Sequence, residues 1–310
     1  MSQTRNETGR TSRLRAPLLA LLVVAYAGCD STDRLTSTTS NDASGATFDF
    51  SSTGPSGIPF GTFAQPLSLY GSTYTGGHMN PVHPDSLLSR LAAVRGAGAR
   101  VVLALVGTAT NYSNADGTLD FTKWKARVDR YSGIDFSSYI SDGTVIGHYL
   151  IDEPYCTSCW GGRAIPQDTV EAMAQYSKQY WPTMTTIARA PPTWLTGYSG
   201  QYVYLDAGWA QYTVRQGDIN TYLADNVAAA RSEGLGLIVG LNLLKGGPNL
   251  SSLTASQIKT FGSTLLGSRY VCAFISWKYD STYFSRSDIN SAIALLSRKA
   301  KRHAASSCQQ

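Results

Sequence analysis

From Ile58 onward, short apolar runs alternate with amphipathic segments of helical length. That alternation limits the chain to a sheet whose strands are joined by helices. Residues 100–107 (RVVLALVG) are almost continuously apolar, as a strand covered on both faces must be. Residues 145–151, 184–188, 202–206 (YVYLD), 235–244 and 270–277 (YVCAFISW) read as strands too, and 60–69 supply a first strand and its loop. Between them, 84–97, 121–131, 168–180, 218–233, 254–266 and 287–302 carry apolar residues at helical spacing. Leu87, Leu88, Leu91 and Val94 form one such stripe, and Asp218 and Gly234 bracket another as N-cap and C-cap.

Strands separated by helices over roughly 250 residues build a parallel sheet, either closed or open. A doubly wound open sheet carries a glycine-rich phosphate turn after its first strand, and Gly76-Gly77-His78 does not have that form. The expected class is therefore α/β, a (β/α)8 TIM-type barrel over 58–310. Seven strands are clear, and an irregular eighth is expected between Leu69 and Asn80.

The first 29 residues have another character. Arg5, Arg10, Arg13 and Arg15 precede the apolar run 16–25 (APLLALLVVA). A run of about ten residues is too short to cross a bilayer, which needs about 20, and suits a signal peptide. Ala25-Tyr26-Ala27 offers an ordinary secretory cleavage site. Tyr26-Ala27-Gly28-Cys29 resembles a bacterial lipobox, although leucine is usual where Tyr26 stands. That resemblance implies lipidation of Cys29 and an N-terminal membrane anchor; otherwise the protein is freely secreted. Residues 30–57 are rich in Ser, Thr, Asp, Asn and Gly, without apolar periodicity, and read as a tether.

An exported chain fits the other counts. The formal charge of +5 falls to +2 without residues 1–28, which hold four arginines and Glu7. Apart from the stretch 298–302, read as a solvated helix end, no basic run remains, so nucleic acid is not an expected partner. The other cysteines are Cys156, Cys159, Cys272 and Cys308, an even set that suits disulfides in an oxidising compartment. Cys156 with Cys159 can close a tight loop, and Cys272 with Cys308 can pin the C-terminal tail, though sequence does not fix the pairing. Zinc would want two further ligands beside the CxxC pair, and none is adjacent. His78, His83 and Asp85 read as ordinary loop residues, and His148 as a hydrogen-bonded barrel residue. No metal and no cofactor is expected.

Function in such barrels sits at the C-terminal strand ends. Gly147-His148-Tyr149-Leu150-Ile151-Asp152-Glu153-Pro154 places two carboxylates at the end of a buried strand. Here the chain resembles clan A glycoside hydrolases, whose fourth strand ends Asn-Glu-Pro with the glutamate as general acid/base. The resemblance spans roughly residues 60–296, and Trp277 falls where that clan commonly has a sugar-floor tryptophan at the end of strand eight. It implies that Glu153 protonates the leaving oxygen of a glycoside. The chain departs from the clan at strand seven, where the nucleophilic glutamate is replaced by 240–245 (GLNLLK). Of the four glutamates, Glu7, Glu153, Glu171 and Glu233, only Glu153 is a catalytic candidate. Hydrolysis needs two carboxyls, about 5–5.5 Å apart for retention or about 6.5–9.5 Å for inversion. The second would be Asp280 or Asp206. An ion pair of Glu153 with Arg189 or Lys278 is the competing structural reading.

Trp160, Trp194, Trp209, Trp277 and Tyr155 lie near expected strand ends, where aromatic faces can stack on sugar rings. With Asp152 and Asn242 they form the expected carbohydrate-binding set. The chain thus reads as a glycosidase or as a non-catalytic carbohydrate-binding lipoprotein on the same scaffold.

Overall fold

The computed structural model describes residues 57–80, 82–304 and 307–309. The expected signal peptide, Cys29 and nearly all of the tether lie outside the described residues. Eight strands form one parallel sheet: β1 (Phe60–Thr62), β2 (Gly76–Met79), β3 (Arg100–Leu103), β4 (Val145–Asp152), β5 (Thr186–Arg189), β6 (Ala207–Tyr212), β7 (Gly236–Leu241) and β8 (Val271–Ser276). The helices are α1 (Pro84–Gly96), α2 (Phe121–Asp129), α3 (Ser137–Ser141), α4 (Gln167–Tyr180), α5 (Pro192–Leu195), α6 (Ile219–Ser232), α7 (Ala255–Leu265), α8 (Ser281–Phe284) and α9 (Ser287–Lys301).

The sheet order β1-β8-β7-β6-β5-β4-β3-β2 curls until its two edges meet. A parallel bridge between Phe63 and His78 joins them, so the barrel is nearly closed. Closure depends on Gly61: a Cβ there would sit 1.8 Å from the Gly76 carbonyl oxygen. The missing eighth strand is β2, in the interval expected for it. At four residues, with two adjacent glycines and little apolar content, it gives almost no periodic signal.

Two apolar regions hold the helices to the barrel, and a third fills it. The interior includes Val102, Ile187, Ala207, Trp209, Ile238 and Ala273, with Phe63, Tyr149 and Ile275 in the same cluster. Outside, α1, α2 and α4 cover one side through residues such as Leu91, Trp124 and Met173. The helices α7 and α9 cover the other through Ile258, Leu265, Ile293 and Leu296. Both disulfides form in the pairing considered above, Cys156–Cys159 and Cys272–Cys308. The second ties the tail to β8 across 36 residues of sequence.

One expected strand is misplaced. The segment 202–206 is not in the sheet, and β6 begins at Ala207. The alternating YVYLD pattern resembles a ladder, but its amides are taken elsewhere. The Glu171 carboxylate on α4 accepts from the backbone N–H groups of Val203, Tyr204 and Leu205 at 2.8, 2.8 and 2.9 Å. A side chain has replaced the neighbouring strand as acceptor, and Val203 stands 70% exposed.

Candidate functional site

β4 runs eight residues and delivers Asp152 and Glu153 to the C-terminal mouth. Glu153 has φ 41°, a left-handed conformation rare for a residue with a Cβ. Its surroundings fix it there. Its N–H donates to the Arg189 carbonyl at 3.1 Å, and its own carbonyl accepts from Cys156 N at 2.9 Å. The same carbonyl accepts from Trp160 Nε1 at 3.1 Å. The Cys156–Cys159 disulfide closes the turn that supplies these donors. The kinked backbone turns the Glu153 side chain into a cleft at the mouth.

Arg189, at the end of β5, is the hub of that mouth. Its Nε donates to Asp152 Oδ1 at 2.6 Å, and a terminal nitrogen lies 3.0 Å from Glu153 Oε1. The guanidinium rests 5.7 Å from the ring centres of both Phe63 and Trp277. Glu153 Oε1 also accepts from the Tyr155 hydroxyl at 3.2 Å. Burial pushes the Glu153 carboxyl above its ordinary range, Arg189 pulls it back, Asp152 pushes it up and the Tyr155 hydrogen bond lowers it; the net direction is upward. Burial alone would lower the Arg189 guanidinium, but its two carboxylate partners hold it well above the ordinary value.

The cleft, open to solvent, is lined by Glu153, Tyr155 and Arg189, by Gln211 and Thr213 after β6, and by Asn242, Lys245 and Trp277. Arg215, Gln216 and Leu250 complete its rim. Asn242 and Trp277 are joined by a parallel bridge just beyond β7 and β8. Gln211 orients this wall: its Oε1 accepts from Trp277 N at 3.2 Å, and its Nε2 donates to Ile275 O at 2.9 Å. The Trp277–Lys278 peptide bond is cis.

The structure brings Glu153, Tyr155, Asn242 and Trp277 together, with Asp152 beside them through Arg189. It does not bring the expected partner acids to them. Asp206 precedes β6 and therefore lies at the opposite, N-terminal end of the barrel. There it pairs with Lys178 at 2.6 Å and accepts from Thr186 N at 2.7 Å. Asp280 caps α8, accepting from Tyr283 N at 2.8 Å, and stays outside the residues that line the cleft. Two of the expected sugar platforms are core residues instead. Trp209 is mid-strand, 1% exposed, against Phe63 inside the barrel. Trp160 is 2% exposed and stacks on Tyr112. Trp194, on α5, packs 6.0 Å from Tyr155 without lining the cleft.

Gln211, Thr213, Arg215, Gln216 and Lys245 were not legible as site residues. Placing strand six at 202–206 left Gln211 in an apparent loop, whereas β6 carries it to the mouth. The three potential ligands Glu153, Cys156 and Cys159 lie close together, but the two sulfurs are bonded to each other and offer no thiolates.

This architecture is shared with solved glycoside hydrolase barrels. An exo-β-1,4-mannosidase from Opitutaceae bacterium strain TAV5 superposes with a TM-score of 0.54 at 13% identity, over 83% of this chain and 62% of that one. A family 2 β-galacturonidase from Eisenbergiella tayi gives 0.51 at 10% identity, over 79% of this chain and 51% of that one. An endocellulase from Pyrococcus horikoshii gives 0.50 at 8% identity, over 78% and 92%. The chain spans about half to two thirds of the first two proteins. No protein-family model matches the sequence, and no curated protein does either. The shared property is the fold: a nearly closed (β/α)8 barrel.

Proposed function

We propose that the protein binds a carbohydrate chain at the mouth of its barrel without hydrolysing it. The observation that carries this reading is the state of Glu153. It is the one carboxylate among the described residues lining the cleft, and Arg189 and Tyr155 occupy one of its oxygens. Across the cleft, the end of β7 presents the amide of Asn242 where the clan that the sequence resembles has its nucleophile. Double-carboxylate hydrolysis has no second acid there. The remaining equipment suits binding: the Trp277 and Tyr155 rings, the Gln211 and Asn242 amides, and a cleft preformed by backbone hydrogen bonds.

A hydrolase is the second reading, and one observation favours it. Burial raises the Glu153 carboxyl, the direction a proton donor requires. Asp152, which shares the Arg189 guanidinium with Glu153, would then be the further acid. The two readings separate on a panel of glycan oligomers, followed by calorimetry for binding and by reducing-end release for cleavage. Binding with no release supports the first reading. Release by the parent protein that disappears in Glu153→Gln, with binding retained, supports the second.

The proposed setting is extracytoplasmic, with Cys29 as the lipidated N-terminus of the mature chain. The two disulfides are compatible with it, and among the described residues no helix is long and apolar enough to cross a membrane. Mass spectrometry of the mature N-terminus tests this directly. A diacylated Cys29, absent in Cys29→Ser, is the expected result, and an unmodified terminus at Gly28 overturns the anchor.

A further inference from the structure

The chain enters its first strand at the end of the barrel opposite the cleft. Ile58 N donates to the Ala300 carbonyl at 3.0 Å, so β1 starts beside the last turn of α9. The approach is close: a Cβ on Gly57 would stand 2.3 Å from that same carbonyl oxygen. Arg100, at the start of β3, donates from a terminal nitrogen to the Gly57 carbonyl at 2.8 Å. The Lys301 ammonium donates to the Ser72 carbonyl, ahead of β2. His303, just after α9, donates from Nε2 to the Ser268 carbonyl at 2.8 Å, which brings the loop before β8 to the same place. Stretches remote in sequence therefore meet around the point of entry.

None of these stretches carries an acid. Residues 57–80, 92–110, 261–279 and 289–310 contain no Asp or Glu. At this end of the barrel they supply Arg100, Arg269, Arg298, Lys299, Lys301 and Arg302. Arg269, Arg298, Lys299 and Arg302 are exposed, and none of the four has an ion-pair partner among the described residues. Other acids at this end are already matched: Asp142 pairs with Arg95 and Asp206 with Lys178, each at 2.6 Å. Glu233, before β7, has the exposed Arg231 two residues earlier. The dipole of α9 explains part of the basic set, since cations favour a helix C-terminus. It does not explain Arg100 or Arg269, which come from other elements.

Exposed cations gathered without partners repel one another, and a surface of negative charge relieves that repulsion. We propose that this face rests on a bilayer surface of anionic phospholipid headgroups, with the cleft opening on the opposite side. Two observations favour a membrane over another polyanion. The face lies where the chain enters the fold, and Cys29, the attachment proposed above, stands 28 residues before Gly57. An anchor there pulls this end of the barrel, rather than its mouth, toward the bilayer. In addition, no aromatic ring in these stretches is exposed, whereas grooves that hold single-stranded nucleic acid use such rings to stack bases. The inference is independent of what the cleft binds.

The test uses the exported chain carrying Cys29→Ser, so that no acyl group contributes. It is sedimented with vesicles of phosphatidylcholine alone or mixed with phosphatidylglycerol. The expected result is binding to the mixed vesicles only, weakening as salt rises. Each basic side chain near such a surface strengthens binding about fivefold, so Arg298→Gln combined with Lys299→Gln should weaken it by about tenfold or more. Arg163→Gln combined with Lys259→Gln removes the same charge from exposed positions elsewhere and should change binding by less than about twofold. Thermal melting confirms that both double variants fold. Equal binding to the two vesicle types, no binding to either, or equal losses in the two double variants overturns the proposal. So does a DNA oligonucleotide held more tightly than the mixed vesicles and released by the Arg298 and Lys299 substitutions, which would reassign the face to nucleic acid. Lipidation of Cys29 is read separately by mass spectrometry, so the anchor stands or falls without this face.

Discussion

Glu153 stands in a conformation that a residue with a Cβ adopts only when its neighbours dictate it. Two backbone hydrogen bonds, an indole and an ion pair all converge on it. Arg189 answers with a cation shared between two carboxylates, and the three groups form one electrostatic unit. Removing one member strands the others. Arg189→Met leaves two adjacent carboxylates without their cation and should cost about 3–5 kcal/mol of stability. Adding Glu153→Gln to that variant should recover part of the loss, because one stranded charge is gone. Chemical denaturation of the two single variants and the double variant measures this coupling, and strictly additive losses would show that Glu153 and Arg189 act independently.

Two buried histidines give a second prediction at this scale. Burial lowers His148 to about 3, and it lowers His78 to about 3 with the Arg189 charge adding to the effect. Unfolded, each ring takes a proton near pH 6.5, so between about 6.5 and 3 the unfolded chain binds more protons than the folded one. The stability these neutral rings contribute is present above pH 6.5 and is lost as pH falls through that window. Urea unfolding at pH 7, 6, 5 and 4 should show stability declining by up to about 1.4 kcal/mol per pH unit for each ring. In His148→Asn, which keeps a polar group toward Ser177 Oγ, the decline should be shallower. An identical slope in that variant would assign the acid sensitivity elsewhere.

At the scale of elements, α4 and β6 show how a side chain can redirect a backbone. Glu171 caps three successive amides of the segment before β6, so the segment cannot join the sheet and the strand starts later. That shift sends Asp206 to the lower rim and Gln211 to the mouth. Glu171→Ala should leave three buried or half-buried donors without acceptors, at a cost of about 3 kcal/mol or more. Hydrogen exchange should accelerate first at residues 203–205, and unchanged protection there would mean the carboxylate is incidental to that loop. The pattern YVYLD was misleading because alternation reports side-chain faces, while strand membership depends on where N–H and C=O groups find partners.

The whole molecule closes through its least strand-like pieces. β1 and β2 are three and four residues long, and they meet where Gly61 passes the Gly76 carbonyl. The barrel interior is filled with aromatic and aliphatic side chains rather than left as a channel. The proposed glycan-binding surface therefore lies in the loops above it, and every group proposed for glycan binding comes from the ends of β4 through β8. The rim is set by contacts between loops, such as Val214 with Gly246, which no single segment encodes.

The sequence alone determined the alternation of buried strands and amphipathic helices, the position of Asp152-Glu153-Pro154 at a strand end, Trp277 at the end of the last strand and the absence of a glutamate after strand seven. These are local properties: apolar period, chain order and residue type suffice to read them. Arg189 was legible as a possible partner of Glu153 for the same reason, since it follows an apolar strand directly. Only the tertiary structure decided that Asp206 and Asp280 serve as structural anchors, that Trp160 and Trp209 belong to the core, and that Arg215 and Lys245 face the cleft. Those outcomes depend on which strand end a residue reaches and on which partner its polar atoms find across the fold. Both are distances between segments remote in sequence, and a one-dimensional pattern does not contain them.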